Sequence, residues 1–263
     1  MLQRKTSQTG VVYYVSPLME ALGVPHAFST RIGGVSPAPF DSLNLGNPLG
    51  CPTQDDQANI RQNYQRLAEA AGFAGRRIQC VRQVHGSSVV TVTGHNQPSE
   101  LPQADGLITE DATCVVSVRV ADCVPVLLCT GDGRKVAAVH AGWRGVVAGV
   151  VPQAIQLMER PRVELIAAIG PCISMEAFEV GPEVLEQFVQ LPGQEAPILR
   201  RADGKGHVDL RKALFLQLLR AGLRADRIDL TDRCTYLHSD EFFSHRREKG
   251  LTGRLAALIS PHF

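Results

Sequence analysis

The sequence predicts a single-domain α/β protein over residues 1–263, α+β-like in detail, in which mixed sheets are covered by helices as a layered sandwich. Short apolar segments bounded by Gly, Pro or Asp recur along the chain and are typical of buried strands. Amphipathic stretches with helical spacing alternate with them. Some neighbouring strands are close enough for hairpins and others are separated by a helix, which favours a mixed sheet.

The individual elements follow from these patterns. The first helix is predicted over residues 54–72, where Ile60, Tyr64 and Leu67 recur on one face. Further helices are predicted over residues 146–160, 182–191 and 209–222. The predicted strands, in chain order, are residues 80–84, 88–92, 115–120, 125–129, 135–139, 165–169, 227–230 and 255–259.

Composition limits the class of partner. The formal net charge is +1 and no Lys/Arg block is longer than a pair, which argues against nucleic acid or an anionic membrane as the partner. A small-molecule ligand is favoured instead. Residues 1–9 are polar, with no signal-peptide core, and no stretch approaches the roughly 20 apolar residues of a membrane span. We therefore expect a soluble, cytoplasmic protein.

The seven cysteines do not suggest a disulfide framework, because their number is odd and no CxxC pair occurs among them. Cys114 and Cys129 lie in or beside apolar runs and are interpreted as core residues. Cys123 differs, because it follows Ala-Asp and precedes Val-Pro in a polar break between two predicted strands. A thiolate at that position could point into a cleft.

Residues 136–145 (VAAVHAGWRG) carry the strongest local signal for a site. An apolar strand ends on His140 and passes into a glycine turn that holds the single tryptophan and Arg144. Ligands of open α/β sheets commonly bind where strands end. If a helix begins after the turn, its amides around Gly142 and Gly145 could bind an anion beside the imidazole.

A metal hypothesis rests on His85, Cys123 and His140, each placed beside a turn at a predicted strand end. Two imidazoles and a thiolate suit zinc, and catalytic zinc sites use three protein ligands and leave a position for water. The spacings fit no short zinc motif, and a single histidine in an apolar context is more often a hydrogen-bonded core residue. The residues alone leave both interpretations open.

Motifs along nearly the whole chain resemble the YfiH-type family, also called laccase-domain proteins, peptidoglycan editing factors and purine nucleoside phosphorylases. The motifs, in order, are FSTRIGG at 28–34, FDSLNLG at 40–46, QVHG at 83–86, ADGLIT at 104–109, ADCVPV at 121–126, HAGWRG at 140–145, IGP at 169–171, FEVG at 178–181, FFSHRR at 242–247 and TGR at 252–254.

The resemblance implies a sandwich of two sheets between helical layers, distantly similar to the catalytic domain of cytotoxic necrotizing factor. It implies a metal site whose ligands fall on His85, Cys123 and His140. The activities implied are phosphorolysis of adenosine, inosine and methylthioadenosine, and deamination of adenosine. An older family label is copper polyphenol oxidase.

Each implied reaction needs particular groups. For phosphate, Arg31, Arg144 and the amides of Gly142 and Gly145 are the predicted binding residues. For deamination, water activated by zinc must reach C6 of adenine, and Asp122 is the carboxylate nearest in sequence that could move the proton. An Asp directly before a strand is also a common turn residue, and both interpretations of Asp122 stay open.

A multicopper oxidase is harder to build from this chain. Such a centre needs many imidazole ligands in paired motifs, whereas the sequence has eight histidines and no His-X-His pair. Copper can still occupy a His/Cys site, because copper binds most such sites more tightly than zinc does.

Two alternatives from other classes remain. In the first, Cys123 is the nucleophile of a cysteine hydrolase, with His85 or His140 as its base, acting on an amide or a peptidoglycan precursor. In the second, the protein has no catalytic role and binds a cell-wall precursor or enzyme. Metal content separates the first alternative from the zinc hypothesis.

Overall fold

The chain of this computed structural model folds into short strands and helices, and the structure describes residues 1–94, 100–159, 161–191 and 197–262. The strands are β1 Gln3–Thr6, β2 Val12–Val15, β3 His26–Ser29, β4 Arg77–Gln79, β5 Val89–Thr91, β6 Gly106–Thr109, β7 Cys114–Val120, β8 Val124–Cys129, β9 Val136–Ala141, β10 Ile166–Ile169, β11 Glu179–Val180, β12 Ile198–Arg200, β13 Gly206–Val208, β14 Ile228–Leu230 and β15 Leu255–Ile259. The helices are α1 Pro17–Ala21, α2 Gln57–Ala70, α3 Trp143–Val147, α4 Val150–Leu157, α5 Pro182–Val189 and α6 Leu210–Arg220.

Two six-stranded sheets contain most of these strands. The first has the order β1-β2-β3-β15-β7-β4, and the second has the order β14-β10-β8-β9-β6-β5. Both sheets are mixed. In the first, β4 runs parallel and β15 antiparallel to β7, and in the second, β5 runs parallel and β9 antiparallel to β6. A small sheet of β11, β13 and β12 stands apart. The prediction of mixed sheets is confirmed.

Three apolar cores define the layers. Between the two sheets lie side chains such as Val118 and Leu127. The outer face of the first sheet packs on α2, through residues that include Leu67. The outer face of the second sheet packs on α4, α5 and α6, through Ile155 and Leu214 among others. The resulting order is helix, sheet, sheet and helices, as the family resemblance implies. Burial of each large apolar side chain contributes about 1.5 to 3 kcal/mol.

Two predicted elements were wrong. The predicted strand over residues 80–84 is instead β4, three residues earlier, and the chain then leaves the sheet apart from one bridge between Arg82 and Gln103. The helix predicted over residues 146–160 is two helices, because Gly149 adopts a left-handed conformation with φ of 76° and ends the first after five residues. Residue 160 lies outside the described residues.

Sequence patterns also missed several strands. β1 (QRKT) is polar and pairs only with β2 at the sheet edge, so it has no apolar signal. β6 is fully buried but only four residues long, too short for periodicity to reveal it. The remaining predicted helices agree with α2, α5 and α6 to within a few residues at each end. In the part of the chain that is described, no helix has the length and apolarity needed to span a bilayer.

Candidate metal centre

The open end of the β8–β9 hairpin brings two of the predicted ligands together. Val124 pairs with Ala141 in this antiparallel ladder, and Pro125 pairs with His140. One step beyond the last pair, Cys123 and Gly142 face each other across the hairpin. The sequence predicts both segments as strands, but only their register places the thiol beside the imidazole.

His85 reaches the same place from a turn between β4 and β5, where its backbone has φ of 60°. Asp105 holds this turn. The carboxylate of Asp105 accepts hydrogen bonds from the backbone amides of His85 at 2.9 Å and Gly86 at 2.6 Å. A non-glycine residue in the left-handed region is uncommon and is typical of positions that the surroundings constrain.

Asp105 also orients His140. Since Gly106 of β6 pairs with Val139 of β9, Asp105 lies next to His140, and the backbone amide of His140 donates to the Asp105 carbonyl at 2.7 Å. The side-chain Nδ1 of His140 lies 2.8 Å from Asp105 Oδ1. This contact assigns the proton to Nδ1 and leaves Nε2 to face Cys123 and His85. Asp105 is fully buried.

The ligand atoms of His85, Cys123 and His140 lie within 4.8 Å of one another, and we call these three residues the triad. Cys123 Sγ is 3.9 Å from His85 Nε2, and the two imidazole rings meet edge to face with centroids 4.8 Å apart. His140 is buried whereas His85 is exposed, so the triad opens to solvent on the His85 side.

Gly142 gives the triad its space. A Cβ at this position would lie 2.8 Å from His85 Cδ2 and 3.1 Å from Cys123 Sγ. Its backbone, with φ of −69°, is one that any residue can adopt. The requirement for glycine here therefore comes from close packing against two ligands and not from backbone conformation.

The charges of the triad are coupled. Burial alone raises the pKa of Cys123, but the charge of His140 and hydrogen bonds from both imidazoles lower it to about 6. Burial alone lowers the pKa of His140, but the Cys123 thiolate and the bond to Asp105 raise it to about 9. A thiolate beside an imidazolium holds one exchangeable proton, which a metal cation displaces on binding.

These features fit a metal ion. Two nitrogens and one sulfur form a typical ligand set for zinc, three protein ligands leave a coordination position open, and a buried carboxylate orients one histidine. Burial by itself raises the pKa of Asp105, yet hydrogen bonds from His140 and the Gly86 and His85 amides lower it below its usual value. Asp105 is therefore a carboxylate that supports the imidazole.

Asp122, the predicted proton carrier, has other contacts. It lies next to Cys123 with φ of 86°, and it is almost fully buried. One carboxylate oxygen accepts from the Thr235 hydroxyl at 2.7 Å, and the other accepts from the Arg246 backbone amide at 2.7 Å. Its backbone carbonyl accepts from the Ile173 amide. In this arrangement Asp122 fixes the loop that presents Cys123.

Arg144 and Gly145 follow the triad in the chain. The side chain of Arg144 is exposed, with its guanidinium stacked over the Trp143 ring at 4.3 Å. Gly145 is buried, and a Cβ there would lie 3.1 Å from the Gly86 carbonyl, so it packs on the turn that carries His85. The helix at this point, α3, has only five residues, which gives a weaker terminal dipole than the predicted long helix.

Arg31 is held by a different set of groups. Its guanidinium donates to the carbonyls of Asp41 at 2.8 Å and Ser239 at 3.1 Å, pairs with the Asp41 carboxylate and stacks on Phe243. None of these contacts joins it to the triad. Their effect is to tie the loop after β3 to residues 239–243.

Sequence reasoning missed two residues that position the triad. Asp105 by itself gives no indication of a role in the site, although it stands directly before the apolar residues of β6. Gln83 makes two hydrogen bonds to the backbone of Arg119 in β7: its side chain donates to the Arg119 carbonyl at 2.7 Å and accepts from the Arg119 amide at 2.8 Å. These bonds replace the ladder that the predicted strand at residues 80–84 would have made. The signal for both residues was their place within the ADGLIT and QVHG motifs.

Comparison with known proteins places this geometry in a family. A family model described as "Multi-copper polyphenol oxidoreductase laccase" matches residues 25–262, which include the whole triad. The chain belongs to the YfiH-type family. Its described residues contain one group of three or more clustered His, Cys or acidic side chains, the triad, in contrast to the many ligands of a multicopper centre.

Curated relatives cover most of the chain. It is 38% identical over 237 residues to "Purine nucleoside phosphorylase YfiH" of Escherichia coli, covering 90% of this chain and 93% of that one. It is 34% identical over 250 residues to "Purine nucleoside phosphorylase YlmD" of Geobacillus stearothermophilus, covering 90% of each.

Solved structures agree with the fold. The crystal structure of YlmD from Geobacillus stearothermophilus superposes with a TM-score of 0.88 at 31% identity, covering 99% of each chain. The Neisseria meningitidis protein NMB0706 superposes with a TM-score of 0.81 at 36% identity, covering 91% of this chain and 95% of that one. The α/β sandwich predicted from the sequence is thereby confirmed.

Proposed function

We propose that this protein is a zinc-dependent purine nucleoside enzyme of the cytoplasm. It uses phosphate to split adenosine, inosine and methylthioadenosine, and it deaminates adenosine. The observation that carries the proposal is the solvent-facing triad of His85, Cys123 and His140, with all ligand atoms within 4.8 Å. The name that these relatives carry, purine nucleoside phosphorylase, supports the substrate class.

His85 Nε2, Cys123 Sγ and His140 Nε2 would hold the zinc ion. A bound zinc ion supplies Lewis acidity and makes water a nucleophile near neutral pH. The residues of the chain do the rest: Asp105 fixes the orientation of His140, and Gly142 keeps the ligand side of the site free of a side chain. Copper fits the same ligands, and metal analysis distinguishes the two.

Phosphorolysis balances without a redox partner. An oxygen of hydrogen phosphate forms a bond to C1′ of the ribose, the C1′–N9 bond breaks, and its electron pair leaves with the purine. The phosphate proton ends on the purine, so the products are the free base and ribose 1-phosphate. The chain must bind a phosphate dianion beside the ribose, and Arg144, exposed on the turn after the triad, is available for this.

Deamination uses water in place of phosphate. Water adds to C6 of adenine and the C6–N6 bond breaks. One proton of the water leaves with the amino group as ammonia and the other ends on N1 of the base, which gives inosine. Asp122, next to Cys123, is the proposed proton carrier, and the hydrogen bonds that it accepts from the Thr235 hydroxyl and the Arg246 amide hold the Cys123 loop. Gly145 supports the proposal by packing on the turn that carries His85, whereas Arg31 ties the loop after β3 to Ser239.

The test is a mass-spectrometric assay of metal-quantified protein against a panel of nucleosides, with and without phosphate. We expect ribose 1-phosphate or its methylthio analogue only when phosphate is present, and inosine from adenosine in both conditions. Activity should track zinc content across preparations. Absence of both products from protein with one zinc per chain would exclude the proposal.

A second candidate, the cysteine hydrolase, is favoured by one observation. Cys123 has a pKa of about 6 and lies 3.9 Å from His85 Nε2, as a nucleophile beside a base does. Iodoacetamide distinguishes the two functions, because a thiolate forms above its pKa and metal-free Cys123 is mostly thiolate at neutral pH. Under the zinc proposal, bound zinc protects Cys123 from alkylation. Under the hydrolase alternative, alkylation inactivates the protein with or without a chelator.

A further inference from the structure

Two arginines lie side by side on one face of the first sheet, close to Cys123. Arg119 of β7 pairs with Ala256 of β15, and Leu255 pairs with Val120. One residue further, Arg254 lies beside Ala121, two positions before Cys123. Side chains two residues apart on a strand share a face, so Arg254 is the diagonal neighbour of Arg119.

No described acidic side chain forms an ion pair with either guanidinium. Arg254 donates through Nη1 to the carbonyls of Thr252 at 3.0 Å and Gly253 at 3.1 Å, which leaves its other donors for a ligand. For the Arg119 guanidinium, the described residues supply no hydrogen-bond partner. This differs from Arg31, whose donors are taken by Asp41 and Ser239.

The electrostatics of the pair favour an anion. Burial lowers the pKa of Arg254, and the positive charge of Arg119 lowers it further, partly offset by Cys123 and Asp122. Both Asp122 oxygens already accept hydrogen bonds from other groups. Two half-buried guanidinium groups of like charge destabilise each other, and a dianion between them removes that repulsion.

The surroundings hold Arg119 in place. Gln83 brackets its backbone with two hydrogen bonds, and Gln83 lies two residues before the triad ligand His85. Gly46 packs on the Arg119 side chain, where a Cβ would lie 2.8 Å from Cδ and 3.0 Å from Nη1. The arginine pair and the triad are thus linked through both the 83–85 and the 119–123 segments.

We propose that Arg119 and Arg254 form the phosphate subsite, binding hydrogen phosphate beside the triad with paired guanidinium donors. Arginine suits this ligand because its planar fork makes bidentate bonds to phosphate oxygens. The inference rests on the proposed phosphorolysis, and it assigns the phosphate contact to Arg119 and Arg254 in place of Arg144 and Arg31. Arg144 then lies at the solvent side, where it contacts the nucleoside or the entrance and not the attacking phosphate.

Kinetics of the zinc-loaded Arg119→Gln and Arg254→Gln variants test the subsite. Loss of a charged hydrogen-bond partner should raise the KM for phosphate about 10- to 100-fold. Adenosine deamination, which uses no phosphate, and the KM for nucleoside should change by less than about threefold. The Lys variants should recover part of the phosphate affinity, because they keep the charge but lose the fork.

Two comparison variants complete the kinetic experiment. Arg134→Gln removes an exposed arginine at the far end of the β8–β9 hairpin and should leave the phosphate KM unchanged. Arg144→Gln tests the candidate favoured by the sequence. A rise in phosphate KM for Arg144→Gln, with none for Arg119→Gln and Arg254→Gln, would overturn the inference.

Equilibrium titration of orthophosphate into zinc-loaded protein, without nucleoside, separates the subsite from the reaction. Phosphate binding that weakens in both Gln variants, in a protein that turns over no nucleoside, would support the subsite and exclude the proposed function. Phosphorolysis by the wild type, with an unchanged phosphate KM in both variants, would support the proposed function and exclude the subsite. If Arg254→Gln does not fold, Arg119→Gln and Gly46→Ala still test the subsite. The Cβ that Gly46→Ala adds displaces the Arg119 side chain, so this variant should also raise the KM for phosphate.

Discussion

The two ends of the β8–β9 hairpin differ in how far their polar side chains reach: the turn at one end is formed largely by bonds between neighbours in sequence, and the site at the other end needs residues from distant segments. At the closed end, the Thr130 hydroxyl bonds to Asp132 and accepts from the Lys135 amide, and the Gly133 amide donates to the Thr130 carbonyl. At the open end, Cys123 and His140 need partners from distant segments, Asp105 and His85.

The two ends of the hairpin differ in the sequence distance between their polar groups and the groups to which these bond. At the closed end the Thr130, Gly133 and Lys135 bonds of the turn lie within six residues, and the Gly133 carbonyl also accepts from the distant His262 amide. The open end depends on side chains 35 and 38 residues away in the chain, so it forms only when the sheets do. Substitutions at the two ends should therefore separate stability from metal binding.

The largest expected effect is the loss of a ligand at the open end. Cys123→Ala, His85→Ala or His140→Ala should each reduce zinc per chain from one equivalent to near zero, and phosphorolysis and deamination should fall together. The reason is that two protein ligands hold zinc far less tightly than three. Metal analysis and the nucleoside assay measure both effects. Full activity in a metal-free triple variant would contradict the assignment.

The next effect tests the residue behind His140. Asp105→Asn keeps the shape but removes the charge that orients the imidazole, and it should weaken zinc binding about 10- to 100-fold, as losses of such partners do. The matched control is Asp132→Asn at the closed end, which should leave zinc affinity unchanged. Competition with a chelator gives both affinities, and equal affinities in the two variants would remove Asp105 from the site.

The smallest effects compare two glycines. Gly142→Ala has an allowed backbone but puts a Cβ 2.8 Å from His85, so it should weaken zinc binding about tenfold with little loss of stability. Gly133→Ala has φ of 67° and should lower the free energy of unfolding by about 1 to 2 kcal/mol without affecting zinc. Denaturant unfolding measures the stability and chelator competition the zinc affinity of each variant. Weaker zinc binding in Gly133→Ala, with lower stability in Gly142→Ala, would contradict the assignment of stability to the closed end and metal binding to the open end.

Much of the fold could be predicted from local patterns. The longer apolar strands and the amphipathic helices α2, α5 and α6 carry their own signals of period and capping, as at Asp209, whose side chain accepts from the Lys212 amide. The strand predicted over residues 80–84 is wrong for a tertiary reason. The side chain of Gln83, and not its backbone, makes the hydrogen bonds to the Arg119 backbone. The split of the predicted helix over residues 146–160 has a local cause: Gly149 adopts a left-handed conformation, which the apolar pattern of the segment does not indicate.

The candidate site divides in the same way. Motif resemblance identified His85, Cys123 and His140, and the structure brings the three together. It did not reveal the contact of Asp105 with His140 or the pairing of Arg119 with Arg254. Asp105 and Arg254 stand within the ADGLIT and TGR motifs, but a motif does not show which distant residue its members contact. Both arise from strand register: β6 against β9 for Asp105, and β15 against β7 for the arginines.

The sequence by itself determined the class of fold, the main helices and strands, the residue types of the candidate metal site and the lack of a charge pattern typical of nucleic-acid binding. These properties depend on composition, periodicity and turn residues, which act over short stretches of chain. Only the tertiary structure decided which arginines have no acidic partner among the described residues, that Asp122 holds a loop, and that Gly142 must lack a side chain. Those depend on contacts between segments far apart in sequence, and strand register sets them.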